Sequence, residues 1–387
     1  MGIIFSSFNG LEGKVPELRF SSYDDSWTAE KLSDFTVRVT RKNSKNQTDL
    51  PLTISSKDGL VDQVTFFNKK VSSKDMSGYY LLQKGEFAYN KSYSNGYDFG
   101  SIKRLERYEM GALSTLYICF ALTKYCSDYI RHYFDSLKWY RQIYIISAEG
   151  ARNHGLLNVP TDDFFATTHY LSQSLSEQEK IAAFLSLVDA RIEKQRQLVE
   201  SLKKYKRGAL SRIFNDIEDW EKSEAKDIAT IETGCSNTQD NNPNGLYPFY
   251  IRSANIARSD KYIFDGEAVL TIGDGQIGKV YHYINGKFDC HQRVYMITRF
   301  KKVLGRYFYH FFSTFFYNRA MKMSAKNTVD SVRMEMIAKM PIYFPDKERQ
   351  EQIVSTLDSV DSYIDKQTKL LEQLHLLKRG LLQQMFI

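Results

Sequence analysis

Residues 178–214 read QEKIAAFLSLVDARIEKQRQLVESLKKYKRGALSRIF, and residues 350–386 read QEQIVSTLDSVDSYIDKQTKLLEQLHLLKRGLLQQMF. A shift of 172 positions (350 less 178) superposes them without a gap, and 17 of the 37 pairs are identical. Two unrelated amphipathic helices would share Leu and Ile at core spacing. They would not share Asp189/Asp361, Lys194/Lys366, Gln195/Gln367 and Lys206-Arg207-Gly208/Lys378-Arg379-Gly380 at one offset. The chain therefore carries an internal duplication.

Within the first copy, positions 181, 185, 188, 192, 195, 199, 202, 206, 209 and 213 alternate steps of four and three. They read Ile, Leu, Val, Ile, Gln, Val, Leu, Lys, Ala, Ile, and the second copy reads Ile, Leu, Val, Ile, Gln, Leu, Leu, Lys, Leu, Met. A seam sustained over this many turns and flanked by charge predicts a coiled coil. Ser176 with Glu179 fits a capping box at the start of the first helix. A helix of ~38 residues is ~57 Å long, the length of a spacer. Gln195 and Gln367 fall on the seam at mid-helix, where a polar residue fixes register. A pseudo-twofold axis relating the halves makes the helices antiparallel and brings these two glutamines near each other.

Fainter echoes precede each copy in the same order. Trp27…Leu32-Ser33-Asp34-Phe35 parallels Trp220…Ala225-Lys226-Asp227-Ile228, Gly85-Glu86 parallels Gly266-Glu267, and Tyr133-Phe134 parallels Phe311-Phe312. The reading is one unit written twice: an arm over 1–15, a globular domain over 16–174, a helix over 175–215, a second domain over 216–345 and a second helix over 346–387. The fold class is α+β, with two mixed domains, each followed by a long helix, and the helices pairing as an antiparallel coiled coil.

The 387 residues suffice for two or three domains, and 42% hydrophobic with 26% charged residues is ordinary globular composition. The net charge of +7 is compatible with a polyanionic partner without demonstrating one. Cys119, Cys126, Cys235 and Cys290 form no Cys-x-x-Cys pair, which fits reduced thiols in a cytoplasm. The longest apolar run, near 111–122, is too short to span a membrane.

Strands are expected at 52–54, 79–82, 86–90 and 115–121, with a helix at 124–137. In the second half, strands are expected at 248–251, 268–272, 279–284 and 293–298. Leu304, Tyr307, Phe308, Phe311, Phe312 and Phe315 lie at helical spacing and read as core. Between the strands lie loops rich in Lys, Arg, Asn and Gln. Lys and Arg suit phosphates, and Arg, Asn and Gln suit base edges. The candidate DNA contacts are Lys42, Asn43, Lys91, Tyr93, Asn95, Lys103, Arg104, Arg152 and Asn153 in the first half. Those in the second are Arg252, Asn255, Gln276, Lys279, Gln292, Arg293 and Lys326. For one loop alone, solvated surface is the simpler reading; recurrence in both halves favours the set.

Gly273-x-Gly275-x-x-Gly278 matches a dinucleotide-binding pattern, but 279–284 reads as a strand where that motif needs a helix, so it reads as a hairpin. We find no phosphate-binding P-loop, no His-Glu-x-x-His cluster and no Asn/Asp-Pro-Pro-Tyr/Phe tetrapeptide of adenine methyltransferases. No catalytic residue, metal site or cofactor is expected.

The chain resembles the specificity subunits of type I restriction–modification systems over its whole length. The resemblance rests on the two helix copies, each closed by Lys-Arg-Gly-x-Leu, the Trp-x(4)-Leu-x-Asp-Phe opening, the Gly-Glu strands and the Met340-Pro341-Ile342 lead-in. It implies two target-recognition domains, each reading one half of a bipartite target on double-stranded DNA, and a helical spacer that sets the gap. It further implies docking of two methyltransferase subunits that use S-adenosylmethionine, optional motor–nuclease restriction subunits, and a cytoplasmic, non-membrane location. Two rivals remain: a self-contained methyltransferase, and a coiled-coil scaffold binding only proteins.

Overall fold

The computed structural model describes residues 3–5, 15–69, 71–147, 157–275, 277–323 and 331–387. The chain divides into two compact units, and the division falls inside both long helices. One unit holds Met1–Gln195 with Leu370–Ile387, and the other holds Arg196–Lys369. The expected α+β class is observed, with the first long helix over Leu175–Asn215 and the second over Lys347–Met385.

The first unit is built on a four-stranded antiparallel sheet ordered Thr36–Arg38, Ile118–Leu122, Phe87–Asn90, Ser101–Arg104. The second has six strands ordered Thr230–Thr233, Val294–Thr298, Phe264–Ile272, Tyr281–Cys290, Tyr247–Tyr250, Ile256–Ser259. The first four strands of the second sheet follow the order of the first. Each sheet carries a helix, Ser127–Asp135 in one unit and Gly305–Met323 in the other. Near the start of each domain lies a strand that pairs with the strand leading into the long helix that follows the domain. Thr28–Lys31 pairs with Thr168–Leu171, and Glu221–Glu224 with Pro341–Phe344. The duplication is thus present element by element. The first unit adds three small sheets of its own, Ile3–Phe5 with Leu18–Phe20, Leu52–Ser55 with Gly59–Asp62 and Tyr80–Gln83 with Met110–Leu113.

Alternation explains why both faces of the central strands are filled. Phe87 and Tyr89 join the helix-side core with Tyr129, Tyr133 and Phe134, while Ala88 and Cys119 join Leu52, Ile54, Leu60 and Leu82 on the opposite face. In the second unit, Val269 and Ile297 pack with Tyr307, Phe308, Phe311 and Phe312. Ala268, Leu270 and Ile272 pack with Phe288, Cys290 and Val294 on the other side. The aromatic stripe of 304–315 is core, as its spacing requires.

Both cores are completed by the far end of the other helix copy. Leu382, Met385 and Phe386 are buried with Trp27, Tyr129, Ile181 and Leu185. The Phe386 ring lies 5.4 Å from Tyr129 and 6.1 Å from Trp27. In the second unit Phe214 is buried with Tyr307, Phe311, Ile353 and Leu357, its ring 5.2 Å from Phe311. The seam is buried as the heptads require, with Leu185 and Leu357 both at 0% exposure. Leu187 and Tyr205, off the seam, are exposed.

Charge fixes how the helices pair within each unit. Lys378 Nζ lies 2.6 Å from Asp189, and Lys206 Nζ lies 2.5 Å from Asp361. Asp189 and Asp361 are the same repeat position, as are Lys206 and Lys378. One ion pair is therefore made twice, each time between opposite copies. A partner that descends in number as its mate ascends is antiparallel. Counting six residues on from Asp189 and six back from Lys378 sets Gln195 level with Glu372. The same count from the other pair sets Gln367 level with Glu200.

Gln178 and Gln350, the first identical pair, are both buried and make equivalent bonds. Gln178 Oε1 accepts the Cys126 N–H (2.8 Å) and its Nε2 donates to Ser172 O (2.9 Å). Gln350 Oε1 accepts the Leu304 N–H (2.9 Å) and its Nε2 donates to Pro345 O (2.9 Å). Each acceptor satisfies an N–H at the start of the helix on the sheet, a group that has no partner inside its own helix. The first long helix starts where expected, at Leu175, but its cap differs from expectation. Ser174, not Ser176, caps it, accepting the Glu177 N–H on its hydroxyl (3.4 Å) and the Gln178 N–H on its carbonyl (3.0 Å). Glu177 turns into the domain instead. It meets Arg19 at 2.6 and 2.9 Å, the Trp27 indole N–H at 3.2 Å and the Ser172 hydroxyl.

Cutting the chain after Gly380 removes the apolar plug from the first core. Losses of this kind cost about 2–5 kcal/mol per large side chain. The expected result is loss of hydrogen-exchange protection in the first unit, with protection in Val294–Thr298 and Gly305–Met323 retained; equal loss in both units counts against the assignment.

Candidate nucleic-acid interface

The second domain brings its candidate residues together. Three hydrogen bonds tie its loops: Gly273 N–H donates to Arg293 O (2.7 Å), Gln292 N–H to Ser236 O (2.9 Å) and His291 N–H to Tyr250 O (3.0 Å). Arg252 forms an exposed ion pair with Asp274 at 3.3 Å. Asn255, Lys279, Gln292 and Arg293 are all exposed. His291 is nearly buried, and burial, with Arg252 and Arg293 adding to it, lowers its pKa, so it is neutral at pH 7. The glycine motif is a hairpin, as read: antiparallel strands flank it, with Gly275 at φ +82° and Gly278 at φ +64°. A Cβ at Gly278 would sit 2.7 Å from the Tyr317 ring.

The loops are held from below by Asp289, a fully buried carboxylate. Its Oδ1 accepts from the Ser236 hydroxyl (2.7 Å) and the Cys290 N–H (2.8 Å), and its Oδ2 from the Ser259 hydroxyl (2.8 Å). Two residues absent from the sequence-derived set belong beside this surface. Asn237 is exposed and accepts from Gln292 Nε2 at 2.7 Å. Arg258 is committed to the carbonyls of Gly245 (2.9 Å) and Leu246 (2.8 Å). Asn237 sits in a short polar run that gives no periodic signal, and only its contact to Gln292 marks it.

The first domain scatters its candidates. Lys91, Tyr93 and Asn95 share one hairpin, closed by Tyr97 N–H to Ser94 O (2.7 Å) and pinned through Ser94, Ser56 and Ser101 hydroxyls at 2.8 and 3.0 Å. Tyr93 is 58% exposed at its tip. Lys42 lies elsewhere, over the Tyr80 ring at 4.0 Å and bonded to Gly78 O at 3.0 Å. Asn43 is fully buried and holds its own loop through both amide atoms, to the carbonyl and N–H of Thr48. Its side chain has no edge left for a base.

Lys103 and Arg104 turn inward. Lys103 meets Asp135 at 2.6 Å, and Arg104 meets Asp128 at 2.6 Å, Glu106 at 2.9 Å and Ser127 at 2.7 Å. Burial pushes the Asp135 carboxyl up, but Lys103 and Lys378 outweigh it and hold the pKa below the ordinary range. This network fastens the helix 127–135 to the sheet and to the second long helix. Side chains this heavily paired serve the fold. Arg152, Asn153, Gln276 and Lys326 lie outside the described residues.

A parallel network underlies the second domain. His310 Nε2 lies 2.9 Å from Asp358 Oδ1, and Arg306 Nε lies 2.8 Å from it. Donor atoms of His310, Asp358 and Asp361 lie within 4.8 Å of one another, the spacing of a metal-ligand set. The two carboxylates are already neutralised by Arg306 and Lys206. His132 occupies the matching place in the first unit, 3.2 Å from Ser186, the repeat equivalent of Asp358.

Comparison with known proteins agrees with this architecture. Residues 217–376 match the family model described as the type I restriction modification DNA specificity domain. Over 163 residues the chain is 24% identical to the Type I restriction enzyme EcoDI specificity subunit of Escherichia coli. That stretch is 42% of this chain and spans 36% of the relative's length. The type I restriction–modification S subunit from M. genitalium superposes with a TM-score of 0.61 at 14% identity, covering 96% of this chain and 99% of that one. A chain from a structure concerned with complex assembly and conformational transition of the type I R-M system gives 0.59 at 16%, covering 93% and 97%. These two likenesses show the fold. The family match covers residues 217–376, fewer than half of the 387, and the chain spans about a third of the length of the curated relative it matches.

Burial lowers the pKa of His132 and of His169 to about 3 each. An unfolded histidine protonates near 6.5, so between about pH 6.5 and 3 the unfolded chain binds protons that the folded chain does not. The stabilisation from neutral burial is present above that window and is lost as pH falls through it. Each group contributes a slope of about 1.4 kcal/mol per pH unit. The urea midpoint is expected to fall between pH 7 and pH 5, and to fall less steeply in His132→Gln; a pH-independent midpoint contradicts the assignment.

Proposed function

We propose that the chain is the DNA-reading subunit of a type I restriction–modification complex and performs no chemistry itself. Each globular domain reads one half of a bipartite target, and the long helices set the gap and dock methyltransferase subunits, two in the complete assembly. The observation that carries this reading is the duplication, which extends from 17 identical helix positions to the strand order of the two sheets. Two similar readers joined in one chain make the second half-site encounter intramolecular, so two modest affinities combine.

Within this reading, Arg252, Lys279 and Arg293 face phosphates or guanine edges, and Asn255 and Gln292 supply amides to base edges. Lys42 and the hairpin of Lys91, Tyr93 and Asn95 serve the first domain. Gln195 and Gln367 oppose slippage of the helices, since a buried or half-buried amide in an apolar seam loses its hydrogen bonds when register shifts. The domains run over 16–174 and 216–345, with the arm and the two helices between and after them.

A map of methylated adenine across the host genome, with and without the gene, tests the reading. Methylation at one split motif is expected to vanish on deletion. Exchange of residues 16–174 for another such domain is expected to rewrite one half of the motif only, and insertion of one helical turn in Leu175–Asn215 to change the gap but not the bases. An unchanged map on deletion rejects the function; an unchanged gap rejects the ruler.

A further inference from the structure

Asn237 and Gln292 are held in a way that a solvated surface pair is not. Gln292 is fixed by its backbone N–H on Ser236 O (2.9 Å), and Asn237 by its backbone N–H on the Asp240 carboxylate (2.8 Å). Ser236, next in chain to Asn237, is anchored on the buried Asp289 (2.7 Å). Both amides are exposed, and they are joined to each other by one 2.7 Å bond. An amide carries one acceptor oxygen and one donor nitrogen. Joining two uses one donor and one acceptor. Whichever way the two amides are oriented, the pair then presents outward one acceptor from one residue and one donor from the other. Among the described residues, neither Gln292 Oε1 nor Asn237 Nδ2 has a bonding partner.

We propose that Asn237 and Gln292 act as a single reading unit for one adenine in the half-site of the second domain. This rests on the DNA-reading function proposed above. In the major groove adenine offers an acceptor, N7, beside a donor, the N6 amino group; guanine offers two acceptors, cytosine a donor alone and thymine an acceptor with a methyl group. Only adenine matches an adjoining donor and acceptor on a single base. Asn237 Nδ2 donates to N7, and Gln292 Oε1 accepts from N6. Exposed Arg293, next to Gln292, and Arg252 supply cations for the adjacent phosphates. Asp289 is a positioning residue: it touches no base, and it fixes Ser236 and with it the Asn237 main chain.

The test uses the full chain with its methyltransferase partner. Genome methylation is mapped for the natural protein, Asn237→Ala and Gln292→Ala. Expected is relaxation at one adenine of one half, with discrimination there falling by at least about fivefold. The other half and the gap stay unchanged and so report an intact fold. In parallel, duplexes carrying 7-deazaadenine at each adenine of that half in turn are bound by the natural complex. Loss of N7 at one of them is expected to weaken binding about 5-fold or more, and this decides the matter if a variant loses methylation altogether. An unchanged motif in both variants, or equal binding of every 7-deazaadenine duplex, overturns the amide-pair assignment and leaves the DNA-reading function standing. A natural protein that directs no methylation at all rejects that function instead.

Discussion

Neither globular domain completes its own core. Leu382, Met385 and Phe386 fill the first beside Trp27 and Tyr129, and Phe214 fills the second beside Tyr307 and Phe311. Burial of such side chains is the dominant favourable contribution to folding. A domain finished by the end of the other helix copy therefore depends on how that helix is threaded. The rest of the structure follows: helix length, the reciprocal Asp–Lys pairs, and a compact unit whose boundary falls in mid-helix. The constraint is steric as well as energetic, because a plug of fixed position in a helix of fixed rise leaves one register in which both seam and core are filled.

Polar contacts refine what the apolar ones begin. Lys206–Asp361 and Lys378–Asp189 are half-buried, where a single pair contributes little beyond its desolvation cost. Their contribution is to specificity: a shift by one turn separates both pairs at once. The buried histidines on the sheet helices add a further check, since His132 and His310 each reach the same repeat position of the adjoining long helix, Ser186 in one unit and Asp358 in the other.

The helices and the order of the domains were legible because periodicity and an exact internal offset are properties of the string itself. The strand pairs that join the early part of each domain to the lead-in of its long helix were not. Glu221–Glu224 reads EKSE and Thr28–Lys31 reads TAEK, polar segments made into strands by partners more than a hundred residues away. Among the candidate contacts, composition singled out loops of the second domain that the fold brings together, where Gln292, Arg293 and Arg252 lie on hydrogen-bonded neighbours. It failed for Lys103, Arg104 and Asn43. A basic or amide side chain in a polar run looks the same whether it faces solvent or an internal carboxylate, and only the fold distinguishes them. Asn237 was passed over for the complementary reason: its partner Gln292 is distant in sequence.

Among the described residues, the side chains of Gln178 and Gln350 bond to main-chain atoms alone: each takes an N–H at the start of the sheet helix and donates to a carbonyl just before the long helix, Gln350 also donating to Lys302 O. Every residue type offers a main-chain carbonyl, and every type but proline an N–H. These joints are therefore blind to the identity of the side chains they clasp. A lineage can replace the body of either domain, and with it the surface turned to a ligand, while the hinge that mounts it on the helix stays chemically the same. Variation and assembly are thereby uncoupled at two glutamines.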